Sequence, residues 1–148
     1  MSEYYIRFVP ENIHIALSKE ELQRIEKLNW GGNTPKLIFG EKIQFADAGL
    51  NFESVKCPSC KDDLFEWWSD AMSSAYSEKQ GFFNLEAVTP CCEVKTSLHD
   101  LEYSYQQGFY KTMIEVIPLS DSQLAIYEVA AALLEITGES WRVIHAHY

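Results

Sequence analysis

The sequence predicts an α+β fold, an antiparallel or mixed sheet with helices on one side, of the split βαβ kind, that carries an inserted four-cysteine module. Three observations lead there. Two segments read as a strand followed by a capped helix: Ile6-Arg-Phe-Val-Pro10 before Ser18-x-x-Glu21, and Ile114-Glu-Val-Ile-Pro118 before Ser120-x-x-Gln123. All four cysteines of the chain fall between these units. At 148 residues, with 47% hydrophobic and 14% aromatic side chains, the chain is long and apolar enough to close one core around both. A single domain over residues 1–148 is therefore expected, with residues 57–108 inserted into it.

Taken in order, Tyr4, Ile6 and Phe8 alternate with Tyr5, Arg7 and Val9, the two-residue period of a strand that Pro10 closes. Ser18 and Glu21 then open a helix with Leu22, Ile25 and Leu28 on one face, and Gly31-Gly32 is expected to end it. Lys36–Phe39 and Lys42–Phe45, broken at Gly40-Glu41, predict a hairpin or one bent strand, and Leu50–Val55 a short strand leading to Cys57. Beyond Cys60, Asp62 or Asp63 is placed to cap a helix. Its Leu64, Trp67, Trp68, Ala71, Met72, Ala75 and Tyr76 share one face, which reads as core, and Gly81 is expected to end it. Phe83–Val88 predicts a strand, Thr96–Leu101 a helical turn, and Phe109–Ile117 a strand buried on both faces. A last helix places Leu124, Tyr127, Ala131 and Leu134 along one face and ends at Gly138. Trp141–Tyr148 closes the chain as a strand.

Cys57-Pro58-Ser59-Cys60 and the adjacent Cys91-Cys92 carry the chemistry. Thiolates suit zinc, a borderline-soft ion that takes four ligands tetrahedrally, and a Cys-x-x-Cys turn delivers two sulfurs to one ion. The second half is irregular, because position 94 is Val where a repeated Cys-x-x-Cys would have its second thiol. Neighbours in an extended strand point to opposite faces, so Cys91 and Cys92 reach one ion only if the backbone turns, and Pro90 favours that turn. Should one of the pair turn inward as a core residue, His99 is the replacement ligand. Four protein ligands would close the shell and leave no open position for hydrolytic chemistry. The rival is redox chemistry: Cys57-Pro-Ser-Cys60 before a helix resembles a glutaredoxin-like site, with Thr89-Pro90 in the place of that family's cis-proline. Asp62, Asp63 and Glu66 nearby would disfavour a thiolate there.

Charge restricts the partners. The net charge is -10, and residues 57–108 carry 3 basic and 9 acidic side chains. Nucleic-acid binding draws most of its affinity from neutralised phosphates, so an acidic module excludes it as the expected role and points to a basic protein partner. Asp63, Glu66 and Asp70, opposite the apolar stripe of the second helix, are the expected partner face, although such faces also serve simply for solubility. His145 and His147 share one face of the last strand, as a metal-binding pair or as ordinary sheet residues. No phosphate loop, His-Glu-x-x-His or Gly-x-Ser-x-Gly motif occurs. The sequence shows neither a signal peptide nor a membrane span, so a cytoplasmic, reducing setting is expected, where paired cysteines bind metal more often than they form disulfides.

Residues 57–148 also carry a sequence of short motifs: Cys-Pro-x-Cys, then Pro90-Cys91-Cys92, then Ser97-Leu-x-Asp-Leu101, then a strand and helix ending in Ala146-His147-Tyr148. In these the chain resembles a group of small bacterial zinc-ribbon-like proteins with no settled activity. That resemblance groups the chain without implying an activity. The expectation is then a non-enzymatic, zinc-stabilised protein that docks a basic partner, for instance an immunity protein that neutralises a toxin. The alternative is a thiol-disulfide oxidoreductase using Cys57-Pro58-Ser59-Cys60.

Overall fold

The computed structural model describes residues 3–120 and 123–148. In chain order the elements are β1 (Tyr4–Pro10), α1 (Lys19–Glu26), β2 (Lys36–Ala46), β3 (Val55–Lys56), α2 (Phe65–Ala75), β4 (Tyr76–Ser77) and β5 (Gly81–Phe82). They continue with β6 (Glu86–Val88), β7 (Lys95–Ser97), a 3-10 turn at Leu98–Asp100, β8 (Glu102–Tyr103), β9 (Gly108–Val116), α3 (Ile126–Thr137) and β10 (Trp141–His147). The principal sheet has the strand order β10-β1-β9-β2-β5-β4. β1 runs antiparallel to both β10 and β9, and β9 antiparallel to β2. The two strands of each βαβ unit are thus parallel and separated by a strand of the other unit. Neither unit forms a sheet alone, so the halves of the chain that flank the cysteines fold together.

The strand period assigns the two faces. Ile6 and Phe8 of β1, Ile114 and Val116 of β9 and Trp141 of β10 pack against Ile25 of α1 and Val129 and Leu133 of α3. On the other face Val9, Met113 and Ile144 cluster with Ala46 and Ala48. The inserted module covers this second face beside them, through Phe45 of β2 and Phe109 of β9, whose rings lie 5.0 Å apart. Helices α1 and α3 therefore share one side of the sheet as expected, whereas α2 belongs to the module. Trp68 is a core residue of that module: it packs on Phe45 and Phe52, and its Nε1–H donates to the Tyr103 hydroxyl at 3.2 Å. Among the described residues no helix is long and apolar enough to cross a membrane.

Several local expectations give way to tertiary structure. The Ser18/Glu21 capping box forms, with both reciprocal bonds present. The second one does not: α3 begins after Ala125 with no side-chain cap, and Asp121 and Ser122, inside the proposed box, lie outside the described residues. The buried face of α3 is Ile126, Val129, Ala130, Leu133 and Ile136, while Tyr127 is 84% exposed and Leu134 47%. Two apolar stripes compete on this alanine-rich helix, and the sheet selects the β-branched and leucine stripe whose shape fills it. β2 is one strand with a bulge between Phe39 and Gln44. α1 ends at Lys27, before Gly31-Gly32, and of the predicted Leu50–Val55 strand only Val55 is extended, as the first residue of β3.

Gly81 does not end α2. It sits at φ +69 in a hairpin, β4–β5, and a Cβ there would meet the Ile43 carbonyl at 2.8 Å, so it lets the module pair with β2. Of the predicted Phe83–Val88 strand only Glu86–Val88 is extended, as β6, while β5 lies just before it at Gly81–Phe82. Leu133→Ala should cost about 2–5 kcal/mol of stability through a buried cavity, while Tyr127→Ala should stay within about 0.5 kcal/mol, measured by urea denaturation. The reverse order would reassign the buried face of α3.

Candidate metal centre

Two turns of the same backbone form bring the cysteines together. β3 ends at Lys56, which bridges Asp63, and between them the Cys57 N–H donates to the Asp62 carbonyl at 2.9 Å and the Lys61 N–H to the Cys57 carbonyl at 3.0 Å. In the β6–β7 hairpin Val88 pairs with Lys95, the Thr89 N–H donates to the Val94 carbonyl at 3.0 Å, and the Glu93 N–H to the Thr89 carbonyl at 3.0 Å. Lys61 at φ 66 and Glu93 at φ 57 are the only non-glycine residues at positive φ among those described, and they close the two turns in the same way. Pro58 and Pro90 each occupy the second position, where proline's fixed φ suits a tight turn.

The turn that Cys91 and Cys92 require is therefore made, and the four sulfurs converge within 4.8 Å of one another. Cys57 and Cys92 are 3.7 Å apart, Cys60 and Cys91 3.3 Å, and Cys91 and Cys92 3.9 Å. A tetrahedral ion with sulfurs at about 2.3 Å would space them about 3.8 Å apart, so the cluster has the dimensions of a four-thiolate site. Its thiols are free, with Cys57 buried and Cys60, Cys91 and Cys92 exposed.

Electrostatics sets what the four thiols could hold. The Cys60 amide donates to the Cys57 sulfur and draws that thiol down to about 6, helped by the Ser59 amide and opposed by burial. The Asp62 amide acts likewise on Cys60, but the neighbouring thiols, Cys91 foremost, and burial outweigh it and push Cys60 up to about 12. Four sulfurs this close cannot ionise together, since each negative charge opposes the next. A divalent cation would remove that opposition and could take all four as thiolates.

His99 lies outside the cluster and serves another purpose. Its Nδ1 accepts the Phe109 N–H at 2.9 Å, and its Nε2 lies 3.6 Å from Glu11 Oε2. Arg142 of β10 is buried beside it, forked onto Glu11 at 3.0 and 2.7 Å, and its Nη1 donates to the carbonyls of His99 at 2.8 Å and Gln107 at 2.5 Å. Gln107 is itself buried, its Oε1 accepting the Ala48 N–H at 2.9 Å. The module is thus fastened to the sheet by a buried guanidinium. Gly108 threads between these groups, where a Cβ would stand 2.9 Å from His99 Cε1 and 3.0 Å from Arg142 Nη1. Sequence reasoning passed over Arg142 and Glu11. A lone arginine within Trp141-Arg-Val-Ile144, on a strand whose neighbours are apolar, is the signal that could have found it.

The remaining sequence-selected residues stay apart. Asp63, Glu66 and Asp70 are exposed, Asp63 turning its carboxylate to accept the Phe65 N–H at 2.9 Å at the start of α2. His145 stacks on Tyr4 and its Nδ1 meets the Tyr4 hydroxyl, and neither it nor His147 joins a metal-sized cluster among the described residues. The Thr89–Pro90 bond is trans, and α2 starts well beyond Cys60. No family model, curated protein or solved structure matches the chain.

Two outcomes are expected. Cys60→Ser or Cys92→Ser should lower the metal held per chain, and cobalt(II) loading of the unsubstituted chain should give thiolate charge-transfer absorption that those variants lose. The second concerns acid stability. His99, then Arg142, hold the Glu11 carboxyl at about 2 from its ordinary 4.5, against burial. The folded value lies below the unfolded one, so this contribution is complete above about pH 4.5 and disappears as pH falls from there toward 2. Arg142→Met should reduce that part of the profile and cost about 1–3 kcal/mol at neutral pH, because it leaves the carbonyls of His99 and Gln107 without their buried donor, while the half-exposed Glu11 carboxylate turns to water.

Proposed function

We propose that this protein is a non-enzymatic binding protein whose four cysteines hold a structural zinc ion, and whose acidic module docks a basic protein partner. The observation that carries the reading is the position of the acids relative to the thiol cluster. Glu53, Asp63 and Glu66 line a cleft with Phe65, Trp67 and Pro90, and Pro90 belongs to the same turn as Cys91 and Cys92. An ion that fixes the two turns would fix the wall of this cleft, and with it the spacing of the carboxylates a cationic side chain would meet. Aromatic rings beside carboxylates suit such a guest, since the ring face attracts a cation and the acids complete its neutralisation.

Zinc fits the donor set better than calcium or magnesium, which take oxygen ligands, and its closed four-thiolate shell is a structural rather than a hydrolytic form. Two turns of one backbone form that bring four thiols to one cluster support a zinc-ribbon-like reading of residues 57–108. Free thiols at these spacings suit a reducing compartment, so the cytoplasm is the inferred setting. An immunity protein that neutralises a basic toxin is one concrete form, because complementary charge speeds and directs association.

The oxidoreductase alternative is the weaker one. Cys57, the first cysteine of the motif, is fully buried, whereas a redox nucleophile needs access. Disulfide-reductase activity that vanishes in Cys57→Ser would reverse this preference.

The test is capture of partners from the protein's own cells by the metal-loaded chain, followed by charge reversal at Asp63, Glu66 and Asp70. Reversal should slow association at low salt by about tenfold or more and reduce its salt dependence. Unchanged capture would remove the docking face, and a chelator-stripped chain of unchanged stability would remove the structural zinc.

A further inference from the structure

We propose that residue 89 occupies a displaced ligand position of the metal centre, and that the Thr89 hydroxyl holds the sulfurs in place by donating its hydrogen to a thiolate. This rests on the four-thiolate reading above and concerns how the second half-site is built. The two turns correspond residue by residue. Thr89 stands where Cys57 stands, Pro90 where Pro58, Cys91 where Ser59, Cys92 where Cys60, and Glu93 where Lys61, with the same hydrogen bonds and the same positive φ at the last. The flanking pairs agree too, Val88 with Lys95 as Lys56 with Asp63.

This correspondence explains the irregular spacing. The second turn starts at Thr89, so Val94 is not a missing cysteine but the counterpart of Asp62. The first ligand of the second turn has become threonine, and the ligand it would have supplied comes instead from the third position, where the first turn carries Ser59. Cys91 reaches the cluster from there, 3.3 Å from Cys60, as an exposed thiol.

Thr89 has not left the site. It is fully buried, with Oγ1 3.9 Å from Cys57 Sγ and 3.7 Å from Cys92 Sγ. The oxygen accepts the Val94 N–H at 3.2 Å. Thiolates on a metal accept hydrogen bonds and donate none, so in the loaded site the hydroxyl hydrogen is directed to one of these two sulfurs. Such an outer-sphere donor orients the ligand and spreads its negative charge. Thr89 is in this sense a positioning residue, not a ligand.

The test uses the full chain and zinc or cobalt(II) alone. Thr89→Val keeps the side-chain shape and removes the hydroxyl, and should weaken zinc affinity by about 10–100-fold, while Thr89→Ser retains it. Cys91→Ser should lose the four-thiolate cobalt(II) charge-transfer intensity. Adding Thr89→Cys to Cys91→Ser should bring that intensity back, since the new thiol enters a backbone already in ligand geometry. Failure to regain it overturns the displaced position, whether the double variant folds or not. A Thr89→Val chain within twofold of the unsubstituted affinity overturns the hydroxyl's role. A chain that binds no metal before any substitution instead refutes the four-thiolate reading itself, which keeps the two failures distinct.

Discussion

The buried guanidinium of Arg142 is the interaction on which the arrangement of the molecule depends. It sits on the strand that closes the sheet, takes both oxygens of Glu11 from the segment after β1, and donates to two carbonyls of the inserted module. An ion pair of this kind is a weak source of net stability, because desolvation opposes the attraction. Its effect is positional. Carbonyls at 99 and 107 must lie where one planar fork reaches both, and this fixes the exit of the module against β9. Gly108 is the corollary, since only a residue without Cβ passes between His99 and Arg142.

The four cysteines would give the module a second fixed point at its other side if they hold a cation. There the apolar contacts thin out and three of the four cysteines are exposed, so packing alone would leave two short turns with little to hold them. Thiol convergence compensates if a cation binds. Between the two fixed points lies the aromatic cluster of Phe45, Trp68, Phe82, Tyr103 and Phe109, which gives the module its own core and joins it to the sheet. The Tyr103 hydroxyl at its centre donates to the Leu98 carbonyl at 2.7 Å, which is how a phenol is accommodated in an apolar setting. The acids of α2, Glu66 and Asp70, are exposed on the outside of this body.

The candidate site was legible in ligand type and only partly in geometry. Cysteine pairs in a chain of this composition point to a metal, and four thiols within 4.8 Å match that expectation. What spacing concealed was the frame of the second turn. Counting from cysteine to cysteine makes Val94 an anomaly, whereas counting by hydrogen bonds starts the turn at Thr89 and removes it. His99 was selected as a metal-type residue close in sequence, but imidazole serves equally well as an acceptor for a buried amide, and the fold uses it that way.

By itself the sequence determined the order of the principal elements on either side of the cysteines, the two βαβ units around an insertion and the first capped helix, because period-two alternation, a capping box and proline positions are local signals. It also determined that the cysteines belong together. Only the tertiary structure decided which face of α3 is buried, that Gly81 serves a hairpin and not a helix end, and that a strand arginine anchors the module. These outcomes depend on what lies across the sheet. Two stripes of similar hydrophobicity, or a charge among apolar neighbours, are resolved by the shape and polarity of residues a hundred positions away, and no local pattern contains that information.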